Sequence, residues 1–192
     1  MNLARWFARF ACGALCAMLA CAAPVTRAAA AAPPHLDLQI EFDPGTRHLR
    51  AVAEFPATAH FRLALHQSLN VTGMHVNGRA VALPAVQRNG DQRIWQMDTP
   101  VHAALRLEYG GTLPALDRTL DHREVLQIRA PMADTQGSFL ASATHWYPAI
   151  AARFTYRVTL SLPPDQRGLV AGRLAAESLP ARQRLKEYGR RA

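Results

Sequence analysis

Gly137–Leu162, GSFLASATHWYPAIAARFTYRVTLSL, is the stretch whose reading decides the fold of this chain. Its second half carries the cleanest strand pattern in the sequence: Phe154, Tyr156, Val158, Leu160 and Leu162 alternate with Thr155, Arg157, Thr159 and Ser161. A period of two places the five apolar side chains on one face of a pleated strand. Pro163-Pro164-Asp165 ends it, because proline has no N–H to give to a ladder. Ahead of the strand, a glycine-led apolar run enters a Trp146-Tyr147-Pro148 corner.

The same alternation recurs upstream. Leu36, Leu38, Ile40 and Phe42 share one face of a strand over His35–Phe42, and Leu49, Ala51, Ala53 and Phe55 repeat the pattern. Asp43-Pro44-Gly45-Thr46 between them predicts a hairpin, with proline fixing φ and glycine free to take it positive. Phe61–His66 gives a third strand and Leu69–Val76 a fourth, which Asn77-Gly78, a type I′ signal, folds onto Ala80–Leu83. A second Asn89-Gly90 precedes a strand at Arg93–Met97, and Leu105–Tyr109 runs up to Gly110-Gly111. Thr112–Arg123 lacks periodicity and reads as a loop, while Val125–Arg129 and Gly168–Leu174 read as short strands. No stretch before Ala175 has helical period. Beyond it the composition tolerates helix, but Pro180 interrupts, and the charged run Arg182–Arg191 predicts a frayed, solvated tail. Short strands at this spacing define an all-β protein, an antiparallel β-sandwich or open saddle-like β-domain.

The 192 residues bound the count at one domain, two at most. Arg5 and Arg9 followed by an apolar, small-residue run from Phe10 to Ala23 and by Ala28-Ala29-Ala30 give the layout of a secretory signal peptide. The expected organisation is therefore a signal peptide at 1–32, a β-domain at 33–177 and a charged tail at 178–192. Export places the mature protein in the periplasm or outside the cell. The competing readings of the leader are an uncleaved membrane anchor and lipidation at Cys21; membrane attachment enters only through these. All three cysteines, Cys12, Cys16 and Cys21, lie in the leader, so the mature core holds by packing without disulfides. Without the leader's three arginines the formal charge falls from +8 to +5, 19 basic against 14 acidic residues. The bases are scattered through alternating strands and form no stripe with interleaved aromatics, which argues against nucleic acid as a partner.

Catalytic motifs are missing. There is no H-E-x-x-H helix, no G-x-S-x-G elbow, no phosphate loop and no calcium loop. The eight histidines are dispersed; His60 and His66 share strand parity but stand about 20 Å apart along it, too far to share a metal. Ser142 near His145 suggests a dyad without establishing its geometry. Asp117, Asp121 and Glu124 around His122 make a modest acidic cluster, for which a polar loop is the commoner explanation. No cofactor is expected. Trp146 and Tyr147 are the candidate ligand or interface contacts: exposed, they would stack on a sugar or line a cleft; buried, they would plug one end of the β-domain.

Taken in order, these segments resemble the N-terminal β-domain of the membrane alanyl aminopeptidase family of zinc metallopeptidases. HLDLQIEF and DPGTRHLR from His35 resemble that domain's first hairpin. LALHQSLNVT from Leu63 and VNGRAV from Val76 resemble its next strands and turn. LRLEYGGTL from Leu105, GSFL from Gly137, Trp146-Tyr147-Pro148 and YRVTLSLP from Tyr156 resemble the later strands that lead toward the catalytic domain. The similarity runs from about Pro34 to Glu177. The family's Gly-Ala-Met-Glu-Asn loop and zinc helix have no counterpart in these 192 residues, and Ala149-Ile150 stands where typical members continue a Tyr-Pro corner with an Asp-Glu-Pro signature. No catalytic residue carries over. The resemblance implies a truncated or stand-alone, non-catalytic member whose partner is a separate peptidase domain or a second copy met through an open sheet edge. The alternative is an independent envelope module that binds peptide or glycan with Trp146 and Tyr147.

Overall fold

The computed structural model describes residues 32–117, 119–125, 127, 130–178 and 184–190, with the backbone alone at 122, 125 and 184–190. The leader, with Cys12, Cys16 and Cys21, lies outside the described residues, as does most of the strand expected over Val125–Arg129. All the elements below belong to the unit Ala32–Ala192.

Alternation makes the first hairpin as expected. β1 (His35–Asp43) and β2 (His48–Pro56) bury every second residue, and Leu36, Leu38 and Ile40 are at most 3 % exposed. The turn is held by Asp43: Oδ1 accepts the Gly45 N–H and Oδ2 the Thr46 hydroxyl, each at 2.9 Å. These bonds hold the carboxyl below its usual range, with the Thr46 bond the largest cause. The left-handed residue is Arg47 (φ 59°), and Gly45 serves another purpose: a Cβ there would sit 3.2 Å from Asp43 Oδ1.

β3 (His60–His66) is followed by β4 (Leu69–Val76), which turns at Asn77-Gly78 into β5 (Arg79–Ala80). Both turn residues have positive φ, 50° and 78°, as a type I′ turn demands. The pairing stops at Ala80, short of the expected Leu83, which stays solvent-facing. β6 (Gln87–Asn89) is a short strand that sequence periodicity did not reveal; it pairs with β7 (Gln92–Asp98) across Gly90. β8 (Ala104–Thr112) takes in Gly110 and Gly111 rather than ending at them. The reason is close approach: a Cβ on Gly110 would stand 2.6 Å from the Leu49 carbonyl oxygen, and one on Gly111 would collide with that of Ser68.

After a single helical turn, α1 (His122–Val125), come the small hairpin β9 (Met132–Asp134) and β10 (Gly137–Phe139), a 3₁₀ turn at Ser142–Thr144, and β11 (Thr155–Leu162). The chain then adds β12 (Arg173–Ser178) and β13 (Arg184–Arg190). Both correct the sequence reading. The strand expected at Gly168–Leu174 starts later, and Arg184–Arg190 of the stretch expected to fray lies in the sheet, between β11 and β12. The unpaired N–H and C=O groups along the outer side of β11 supply the reason, since they offer a template to any following extended segment.

The large sheet runs β12-β13-β11-β1-β2-β8-β4-β5, beside a three-stranded sheet β3-β7-β6 and the β9–β10 hairpin. Nearly all regular structure is β and the sheets do not close. Pairing is antiparallel except at one place among the named strands: β11 lies parallel to β1, with Leu36 against Tyr156, Leu38 against Val158 and Ile40 against Leu160. The expected all-antiparallel arrangement fails there. The connection from β10 to β11 delivers the chain to the starting end of β1, and β1 offers its free edge in that direction. Apolar faces of β1, β2, β8 and β11 meet β3 and Trp95 of β7 in one core cluster.

The alternation on β11 is as the sequence requires, with Val158, Leu160 and Leu162 buried and Arg157 exposed. Val158→Asp should therefore cost several kcal/mol, a large part of the stability of such a domain, while Arg157→Asp costs about 1 kcal/mol or less. Chemical denaturation of both variants checks this; equal midpoints would mean the faces of β11 are misassigned.

Candidate functional site

The Trp146-Tyr147-Pro148 corner is set by the turn before it. Thr144 is buried, and both its N–H and its hydroxyl bond to the Ala141 carbonyl, at 3.0 and 2.7 Å. His145 takes a left-handed conformation (φ 53°) and its carbonyl accepts the His66 N–H at 2.8 Å, which pins the corner to the end of β3. The next side chain is thereby turned inward: Trp146 is 9 % exposed, and Tyr147 is half-buried edge-on against it, with ring centroids 4.9 Å apart at 69°. Phe154 and Tyr156 continue the series at 6.4 Å spacings. Phe154, expected to open the strand, precedes it by one residue.

This row of rings lines a cleft of about 660 Å³. It is lined by the inner face of β1 and β11 and by residues of two further segments, Gln136–Tyr147 and Gln166–Ala171. Tyr156 donates its hydroxyl to the Ala171 carbonyl, which ties two of the lining segments together. Two buried polar atoms nearby, Trp146 Nε1 and Tyr109 Oη, have no hydrogen-bond partner among the described residues. Burial pushes the Tyr109 hydroxyl strongly up, with a smaller contribution from Tyr147, and the Tyr147 hydroxyl is raised by burial first and Tyr156 second. Neither tyrosine is placed to act as a base. The cleft draws on several separate segments, so no local motif announces it; only the close spacing of Trp146, Tyr147, Phe154 and Tyr156 hints at an aromatic row.

The other candidates separate into local structural roles. Ser142 is exposed and no hydrogen bond joins it to His145 among the described residues, so the dyad does not form. The acidic cluster is spent on its own turn. Asp121 Oδ1 accepts the N–H groups of Arg123 and Glu124 at 2.7 and 2.9 Å, and Glu124 Oε2 returns to the Asp121 N–H at 2.9 Å. That is a capping box, and its D-x-x-E signature in the sequence could have marked the helical turn inside the expected loop. Asp117 bonds the N–H and hydroxyl of Thr119, the hydroxyl being the larger cause of its lowered pKa. Among the described residues no three His, Cys, Asp or Glu side chains converge as a metal site would need. Zinc, which the resembled family uses, therefore finds no fitting ligand set among them.

No protein-family model and no characterised protein sequence matches this chain. Its fold does occur among solved structures. An M1 zinc metallopeptidase from Deinococcus radiodurans, 16 % identical, matches 83 % of this chain and 39 % of its own length with a TM-score of 0.58. A substituted form of such an enzyme from that organism, bound to a Tyr-Ser-Ala substrate, gives 18 %, 83 %, 39 % and 0.59. Yeast LTA4 hydrolase gives 12 % identity over 82 % of this chain and 26 % of its own, with a TM-score of 0.52. These likenesses establish the fold as a β-domain of the kind M1 zinc metallopeptidases carry. The chain spans about two fifths of the bacterial enzyme's length.

His66, whose backbone N–H bonds the corner, is a buried histidine. The residue is 3 % exposed, and Nδ1 faces the Ser68 N–H at 3.2 Å, so the neutral ring accepts there. Burial, the largest cause, pulls its pKa below 6.5; Asp91 opposes this and His145 adds to it. Between pH 6.5 and the lowered folded-state pKa the unfolded chain binds more protons than the folded one, so this contribution is complete above pH 6.5 and is lost as the pH falls from there through the folded-state pKa. Urea midpoints measured from pH 8 to pH 5 should decline in the native protein and decline less in His66→Asn. Parallel profiles would show that His66 titrates alike in both states.

Proposed function

We propose that this chain is a non-catalytic β-domain of the zinc-aminopeptidase N-terminal type, exported by its leader at 1–32 and acting in the envelope as a docking or structural module. The observation that carries this reading is the likeness of fold over 83 % of the chain to M1 zinc metallopeptidases, of which it spans 39 %. The missing H-E-x-x-H motif supports the same reading, because a two-histidine helix with its glutamate is what would hold the metal and activate water. Its partner is a separate peptidase domain or a second copy. β12 supports this with an outer edge that no described strand covers and with six solvent-exposed residues.

The peptide or glycan platform of Trp146 and Tyr147 is not favoured, since a stacking platform needs an open ring face and Trp146 is 9 % exposed.

The test is metal analysis together with hydrolysis of aminoacyl amides by the purified chain. The reading predicts less than about a tenth of a zinc per chain, as expected without a closed ligand set, and no turnover. One tightly held zinc per chain, with activity lost on chelation, would overturn it.

A further inference from the structure

We propose that the cleft between β1–β11 and the aromatic corner binds the alkyl chain of a free fatty acid, with the carboxylate held at the mouth by Arg167. The cleft's volume of about 660 Å³ lies within the roughly 300–1,000 Å³ that small-molecule sites occupy. Its floor is aliphatic, built from the inward side chains of β1 and β11, and its flank is the row of rings from Trp146 to Tyr156. A well-packed core does not leave an apolar-walled opening of that size against its own sheet.

The rim points to the class of ligand. Phe139 is 47 % and Leu169 94 % exposed, and both line this one cleft, from separate segments of the chain. Single exposed apolar residues are ordinary, but two flanking a shared apolar opening extend its surface to the outside. Arg167 lies in the same segment as Leu169, and no carboxylate among the described residues lines the cleft. Arg167 forms no ion pair among the described residues. The polar side chains in the lining are those of Gln136, Ser138, Ser142, Gln166, the two tyrosines and Arg167, of which the guanidinium alone is charged. One cation, with no carboxylate among the described lining residues and an apolar slot beside it, fits an alkyl carboxylate and disfavours an alkylammonium. The segment that carries Arg167 is also seated closely: a Cβ on Gly168 would collide with Leu160, so glycine lets this segment lie directly on β11.

The experiment is titration of the full chain with octanoate, decanoate and dodecanoate, monitored by calorimetry and by tryptophan fluorescence. One saturable site per chain is expected, with affinity rising about threefold to fourfold per methylene. Dodecyltrimethylammonium should bind far more weakly than dodecanoate. Arg167→Glu should weaken dodecanoate about fivefold to tenfold. Phe139→Ser and Leu169→Ser, both at exposed positions, should weaken it without lowering the melting temperature, and Trp146→Phe should abolish the fluorescence change. Absence of saturable binding would overturn the proposal, as would chain-length independence or equal affinity for the cationic amphiphile. Capture of the chain on phosphatidylglycerol vesicles with no response to dodecanoate would also overturn it, placing the apolar rim on a membrane surface. The site stands apart from the docking role, so zinc or hydrolysis could appear or fail without changing these outcomes.

Discussion

The parallel ladder between β1 and β11 is the constraint on which the rest of the structure depends. It joins the first described strand to one that begins 120 residues later, at His35 and Thr155. Its register sets Leu36, Leu38 and Ile40 beside Tyr156, Val158 and Leu160, so two alternating patterns written far apart in the chain make a single apolar surface. The reverse face matches too, with Asp37, Gln39 and Glu41 beside Arg157, Thr159 and Ser161. A slip of one residue would turn every buried side chain of β11 to solvent, so burial itself specifies the register. Parallel pairing also requires a long crossover, and here the crossover carries the β9–β10 hairpin and the aromatic corner. Site and fold thus share one cause. The segment that returns the chain to β1 is also the segment that walls the cleft.

Polar contacts add orientation to this frame more than they add stability. Arg106 on β8 reaches Glu54 at 2.7 Å and Glu108 at 3.1 Å on the outer face of the sheet. All three are about half exposed, and such pairs contribute about 1 kcal/mol or less. Backbone fit matters more at Gly110 and Gly111, where neighbouring strands leave no room for a side chain. Asn77 shows how a turn residue can serve two elements: it takes the left-handed conformation that the β4–β5 turn needs, and its Oδ1 accepts the Ala104 N–H at 2.9 Å, fixing the entry to β8.

Much of the fold was legible because it rests on period-two burial, which sequence displays directly. β1, β2, β3, β4, β7, β8 and β11 each follow such a run. The misses share a different physics. β6, with no buried residue, and β12, exposed along its whole length, owe their conformation to a neighbour's unpaired edge, which leaves no hydrophobic trace. The parallel sense of β11 follows from where its connection ends, and composition does not carry that information. Gly110 and Gly111 look like punctuation until the Leu49 and Ser68 carbonyls are placed against them. The corner at Trp146 was visible as a feature, but its inward turn depends on His145 and on a bond from β3. The cleft was invisible because its lining is assembled from distant segments.

Native-state amide hydrogen exchange along β1 and β11 tests the central claim most directly. If the parallel ladder holds the two halves of the chain as one cooperative unit, the amides of Leu38, Ile40, Val158 and Leu160 should share a single level of protection, that of global unfolding. Exchange of the β11 amides through a local opening that leaves β1 protected would contradict it.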